Sequence, residues 1–193
     1  MAISQINQSD STFPEDGLTD TLVHTVGSGT DRLLIVLVGW NSSGSHRPVT
    51  GVVWDPTGAN EALSLVEGIN SEDDAACATY ILAAPTVGAS KDIVVTWDSA
   101  PAGPKSIIAF TLTGVDQSSP IADIGSVADQ SVDTLQTTIS TLSGDYVVCH
   151  ANQELGSTNN FDWTNSTITI TEVQDETEDS GSPESRRLPR RRH

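Results

Sequence analysis

Residues 32–40, RLLIVLVGW, constrain the fold more than any other stretch, because both alternating faces of the run are apolar: Leu33, Ile35 and Leu37 on one, Leu34, Val36 and Val38 on the other. A half-exposed strand alternates apolar with polar positions, so a run without alternation reads as a central strand covered on both sides. The other apolar stretches are short, β-rich and separated by Gly, Pro, Asp, Asn and Ser, and none shows a helical apolar period with caps. A chain of 193 residues built this way is long enough for one sizeable core and is expected to form a single all-β domain.

Around that strand the pattern is regular. Residues 3–26 are Thr-rich and weakly alternating, with a turn at Pro14 and Gly17, and read as an edge strand or a pair of short ones. The Gly/Ser turn VGSGTD at residues 26–31 reads as a hairpin connection into the central strand. Residues 49–54 resume strand pattern and stop at DPTGAN, where Asp55, Pro56 and Gly58 supply turn chemistry. Strands are expected again at 63–66, 76–82 and 91–97, the last with Ile93, Val95 and Trp97 on its buried face. Residues 106–115 read as a further strand whose Ile108, Phe110 and Leu112 face inward and whose Ala109, Thr111 and Thr113 face outward. Residues 135–142, 145–151 and 167–173 continue the series, and many short strands at this spacing mean a sandwich or barrel.

Charge sets the partner classes. Nine Lys and Arg stand against 26 Asp and Glu, a net charge of −17, which argues against nucleic acid as a partner. Five of the nine basic residues, Arg186, Arg187, Arg190, Arg191 and Arg192, lie at the C-terminal end. The expected organisation is a sandwich domain over 1–173, followed over 174–193 by an acidic linker and an Arg-rich tail without fixed structure, whose arginines are candidate partner contacts. The N-terminal residues lack the pattern of a secretory signal, and no run approaches membrane-spanning length, so no membrane association is expected. Cys77 and Cys149 allow one disulfide at most, with two buried thiols an equal alternative.

The order of pieces resembles a jelly-roll or concanavalin-like β-sandwich domain found in phage structural proteins and in bacterial extracellular multidomain proteins. The stretches that carry the resemblance are HTVGSGTDRLLIV at 24–36, VVWD and ALSLV within 52–66, ATYILAAPTVG at 78–88, DIVVTW at 92–97 and FTLTGVDQSSPI at 110–121. It implies an antiparallel sandwich that lacks its last strands, since such domains continue where this chain turns into the acidic linker. Its motifs are structural, so it implies a fold more than a chemistry.

No catalytic constellation stands out. There is no Gly-x-Ser-x-Gly nucleophile elbow, and His24, His46 and His150 are scattered without metal-ligand spacing; His24 reads as a structural hydrogen-bonding residue. So many carboxylates make any pair at glycosidase spacing uninformative. Calcium could draw on Asn70, Glu72, Asp73 and Asp74, or on Asp175, Glu176, Glu178 and Asp179, but neither group has an EF-hand loop's spacing, and no metal or other cofactor is expected. A covalent crosslink from Lys91 or Lys105 to an asparagine is conceivable in a sandwich, but the position of Lys105 beside a turn weighs against it. Sugar binding would use exposed aromatics, for which Trp163, Trp97 and Trp54 are the candidates.

The expected function is that of a non-enzymatic virion protein of a bacteriophage, a capsid decoration or tail/fibre component that is assembled in the host cytoplasm. It would form a homo-oligomer and dock on other virion proteins. The rival is a glycan-binding or adhesion module of an extracellular bacterial protein.

Overall fold

The computed structural model describes residues 2–14, 17–41, 48–71, 75–101, 103–128 and 136–152. Among the described residues nine strands form two antiparallel sheets: β1 (Ser4–Phe13), β2 (Thr19–Val26), β3 (Leu33–Asn41), β4 (Val49–Trp54), β5 (Glu61–Ala62), β6 (Ser64–Ser71), β7 (Ala75–Ala83), β8 (Gly88–Trp97) and β9 (Lys105–Thr113). One sheet runs β1-β9-β3-β7-β6 and the other β2-β8-β4-β5. Setting β6 aside, this is the strand order of an eight-stranded jelly roll, with successive strands alternating between the two sheets over the first half of the chain. The fold is therefore all-β, an antiparallel sandwich, as the apolar pattern required. All eight positions of the order are filled by strands that end at Thr113, so the final strands whose absence the resemblance implied are not needed to complete either sheet.

The run at 33–41 is β3, buried at every position and flanked on both sides, by β7 and by β9. Its two apolar faces serve two separate cores. Leu34, Val36, Val38 and Trp40 point between the sheets, where they meet Leu22 and Val26 of β2, Val52 and Trp54 of β4, and Ile93, Val95 and Trp97 of β8. Leu33, Ile35 and Leu37 point away from the sandwich and pack with Phe110, Leu112 and Val115 under Ile3 and Val148. Burying a side chain of this kind is worth about 1.5–3 kcal/mol, so the second cluster is a sizeable fraction of the core rather than a surface detail.

Four expectations change. The VGSGTD turn is not a hairpin: β2 pairs with β8 and β3 with β7 and β9, so the turn carries the chain from one sheet to the other. That crossing is tight, since a Cβ on Gly29 would lie 2.5 Å from Thr113 Cγ2 and one on Gly27 2.7 Å from Asn7 Oδ1. Arg32 fixes the loop by donating to Gly29 O and, from both Nε and a terminal nitrogen at 3.1 Å, to Pro85 O. Of the two readings of the N-terminal segment the structure has the pair of strands, but they are long rather than short, ten and eight residues, and each lies at the end of a different sheet.

The faces of β9 are the reverse of the expected ones. Ile107, Ala109 and Thr111 face the inter-sheet core, while Ile108, Phe110 and Leu112 join the outer cluster. Described residues in the expected strands at 135–142 and 145–151 form no strand. They run over the outer face of the five-stranded sheet instead of along an edge: Val148 packs on the outer cluster, and the Tyr146 hydroxyl donates to Gln5 Oε1 at 3.0 Å. Asn152 Nδ2 donates to Trp40 O at 2.8 Å and to Ala76 O at 2.9 Å. A segment laid across a sheet face has no backbone ladder to join, and its alternation covers apolar surface instead. The strand expected at 167–173 lies outside the described residues.

Candidate functional site

The inner face of β2 carries Asp20, Leu22, His24 and Val26, so two of its four buried positions are polar. Opposite, the inner face of β9 carries Lys105, Ile107, Ala109 and Thr111. The polar positions meet in pairs across the sandwich. Lys105 Nζ lies 3.0 Å from Asp20 Oδ2, and His24 Nε2 lies 3.0 Å from Thr111 Oγ1.

The first pair is the more unusual, because the lysine side chain is fully shielded from solvent and the aspartate is 7% exposed. Trp97 Nε1 donates to the same Asp20 Oδ2 at 2.6 Å, and the Trp97 ring centroid lies 5.7 Å from the Lys105 ammonium. Trp40 meets Trp97 edge to face, with centroids 5.3 Å apart, so the indole beside the pair is itself packed in the core. Taking a lysine and an aspartate out of water costs several kcal/mol for each ion, roughly offset by their attraction only when hydrogen bonds complete the site, as Trp97 does here.

The second pair is a bridge between the sheets. His24 Nδ1 lies 3.0 Å from Ser9 Oγ of β1, so the imidazole spans hydroxyls of β1 and β9 from its place on β2. Burial lowers its pKa to about 4, which keeps the ring neutral with one nitrogen donating and the other accepting. A Ser–His contact at 3.0 Å also occurs in nucleophilic sites, but a histidine with so low a pKa is a weak base at neutral pH, and its second nitrogen here meets a hydroxyl rather than an orienting carboxylate. The expected structural role of His24 matches this geometry.

At the β4–β5 turn Asp55 adopts φ +46° and organises the loop: its carbonyl accepts from Gly58 N and Asn60 N, its Oδ2 from Ala59 N, and Lys91 Nζ lies 3.4 Å from Oδ1. Past β9, carboxylates hold backbone in the same way. Hydrogen bonds from Ser118 and from Ser140 hold Asp116 and Asp123 respectively below the usual carboxylate range.

Of the aromatics named for sugar stacking, Trp54 and Trp97 are core residues, 0% and 2% exposed, and neither presents a ring face to solvent. Their indole N–H groups are used internally, Trp54 Nε1 donating to Thr86 O at 3.0 Å and Trp97 Nε1 to Asp20. Both end the inward-facing series of their strands, which is why strand-end position alone misplaced them at a rim. Trp163 lies outside the described residues, as do Arg186, Arg187, Arg190, Arg191 and Arg192 and the acidic group at Asp175–Asp179. The side chains of the acidic loop at 70–74 lie outside them too. Among the described residues no cluster of three or more His, Cys, Asp or Glu could hold a metal ion. Cys77 and Cys149 are free thiols; burial, then the nearby Glu67 carboxylate, pushes Cys77 up to about 11, so it is protonated and unreactive at neutral pH.

Sequence reading missed the Asp20–Lys105 pair, although a signal was present. Asp20 stands in phase with Leu22 and Val26, and Lys105 in phase with Ile107 and Ala109, so each charge sits on the apolar side of its strand. Compared with protein-family profiles, with curated proteins and with solved structures, the chain matches none.

Proposed function

We propose that the protein is a non-enzymatic structural module of the virion type, a capsid decoration or tail/fibre component that works by self-association and by docking on other virion proteins. The observation that carries this reading is how the interior is used. Four of the six buried polar side chains among the described residues, Asp20, His24, Lys105 and Thr111, are engaged in tying one sheet to the other, which is a mechanical use of chemistry-bearing groups. The edges support assembly: among the described residues the five-stranded sheet ends in β1, ten residues long, and in β6, eight residues long. Exposed edge backbone of that length is a template for pairing with another chain.

The glycan-binding rival loses two of its three residues with the burial of Trp54 and Trp97. Light scattering behind size-exclusion chromatography, at micromolar concentration and at low and high salt, tests the proposal. An oligomer is expected, and a monomer under both conditions would overturn self-association.

A further inference from the structure

From the placement of Lys105 and Asp20 we infer that the two side chains form an intramolecular isopeptide bond, a covalent amide between Lys105 Nζ and Asp20 Cγ that fastens β9 of one sheet to β2 of the other.

Three observations bear on it. The amine and the carboxylate are already in contact, 3.0 Å apart, and both are held in the interior of the sandwich. The pair is shielded from water and packed against Trp97, whose ring centroid lies 5.7 Å from Lys105 Nζ, and such a site accommodates an uncharged amide better than two ions. Finally, Trp97 Nε1 donates to Asp20 Oδ2 at 2.6 Å and holds the carboxyl group against rotation, so that the reacting groups keep their geometry without an ordering step.

The step balances with nothing added. A proton passes from Nζ to Oδ2 along the existing contact, and the free amine adds to Cγ. The Cγ–Oδ2 bond then breaks as Oδ2 takes a second proton from the nitrogen and leaves as water. An ammonium and a carboxylate become an amide and one water, no group changes oxidation state, and two buried charges disappear. The relief of that buried charge is a driving force that a solvent-exposed Lys–Asp pair does not have. Lys91, 3.4 Å from Asp55 but with its side chain 41% exposed, is the internal comparison, and it is expected to remain an ordinary ion pair.

Intact mass spectrometry of the full chain, purified and then incubated near neutral pH, tests the inference. The expected mass is short by one water. Trypsin should release one branched peptide that contains both Asp20 and Lys105 and is uncut after Lys105. Lys105→Arg keeps the positive charge but removes the nucleophile, and should restore the full mass. An unshifted mass for the wild-type protein would overturn the inference, leaving a salt bridge only. A deficit of one water mapped to any other residue pair, or retained in Lys105→Arg, would overturn it equally.

Discussion

Lys105 and Asp20 meet across the sandwich, from different sheets, at 3.0 Å and out of reach of solvent. Each residue alone would be an error in a core, and together, with the Trp97 N–H on the shared oxygen, they form a completed polar site.

Removing one member leaves the other charge buried. Lys105→Met should therefore lower stability by at least about 3 kcal/mol, out of a total of about 5–15 for a domain of this kind. Urea unfolding followed by Trp fluorescence gives the number. A loss below about 1 kcal/mol would mean that the pair is not buried in solution.

His24 gives the fold an acid limit. Its pKa is about 4 in the folded protein and near 6.5 once exposed, so between those values the unfolded chain binds more protons. The contribution of His24 should be full above pH 6.5 and fall as the pH drops toward 4, by about 3 kcal/mol. Glutamine retains a donor and an acceptor for Ser9 and Thr111 but does not titrate. Comparing urea midpoints of wild type and His24→Gln across that range isolates the effect, and parallel curves would remove His24 as its source.

Leu37→Asp should prevent folding. Leu37 lies in the outer cluster with Leu33, Ile35 and Phe110, where a carboxylate finds no partner and costs several kcal/mol or more. A soluble, cooperatively unfolding Leu37→Asp protein would show that the outer face is open to water in solution.

Gly58→Ala tests the β4–β5 turn. The added Cβ would fall 2.2 Å from Asp55 Oδ2, displacing the carboxylate from Ala59 N and Lys91. A loss of about 1–3 kcal/mol is expected, with the sheets otherwise intact by circular dichroism.

How much of this was legible in the sequence depends on which physical constraint wrote it. The double-faced run of β3 and the alternation of Ile93, Val95 and Trp97 in β8 are consequences of burial, which period reveals directly. The partner of β2 is not: VGSGTD suits a hairpin by local turn chemistry, and only the pairing of residues far apart in the chain, such as Thr19 with Thr96, places the next strand in the other sheet. The faces of β9 were read backwards because both are buried, and the more apolar one, Ile108–Phe110–Leu112, is covered by later chain rather than by the opposite sheet. The candidate site was hidden for a related reason. Asp20 and Lys105 are separated by most of the sandwich in sequence, and nothing local announces that one strand's misplaced acid is the other's counter-ion.

The position of β3 between β7 and β9 also has a consequence in time. Its most apolar residues emerge early from the ribosome, yet Leu33 must wait for Ala83 on one side and Leu112 on the other before its backbone has both partners. A topology dominated by such distant pairings folds slowly, in about milliseconds to seconds, because long loops must close before contacts reward them. During synthesis the strand most prone to associate thus lacks its second neighbour until β9 arrives, and the nascent chain is exposed to aggregation until then.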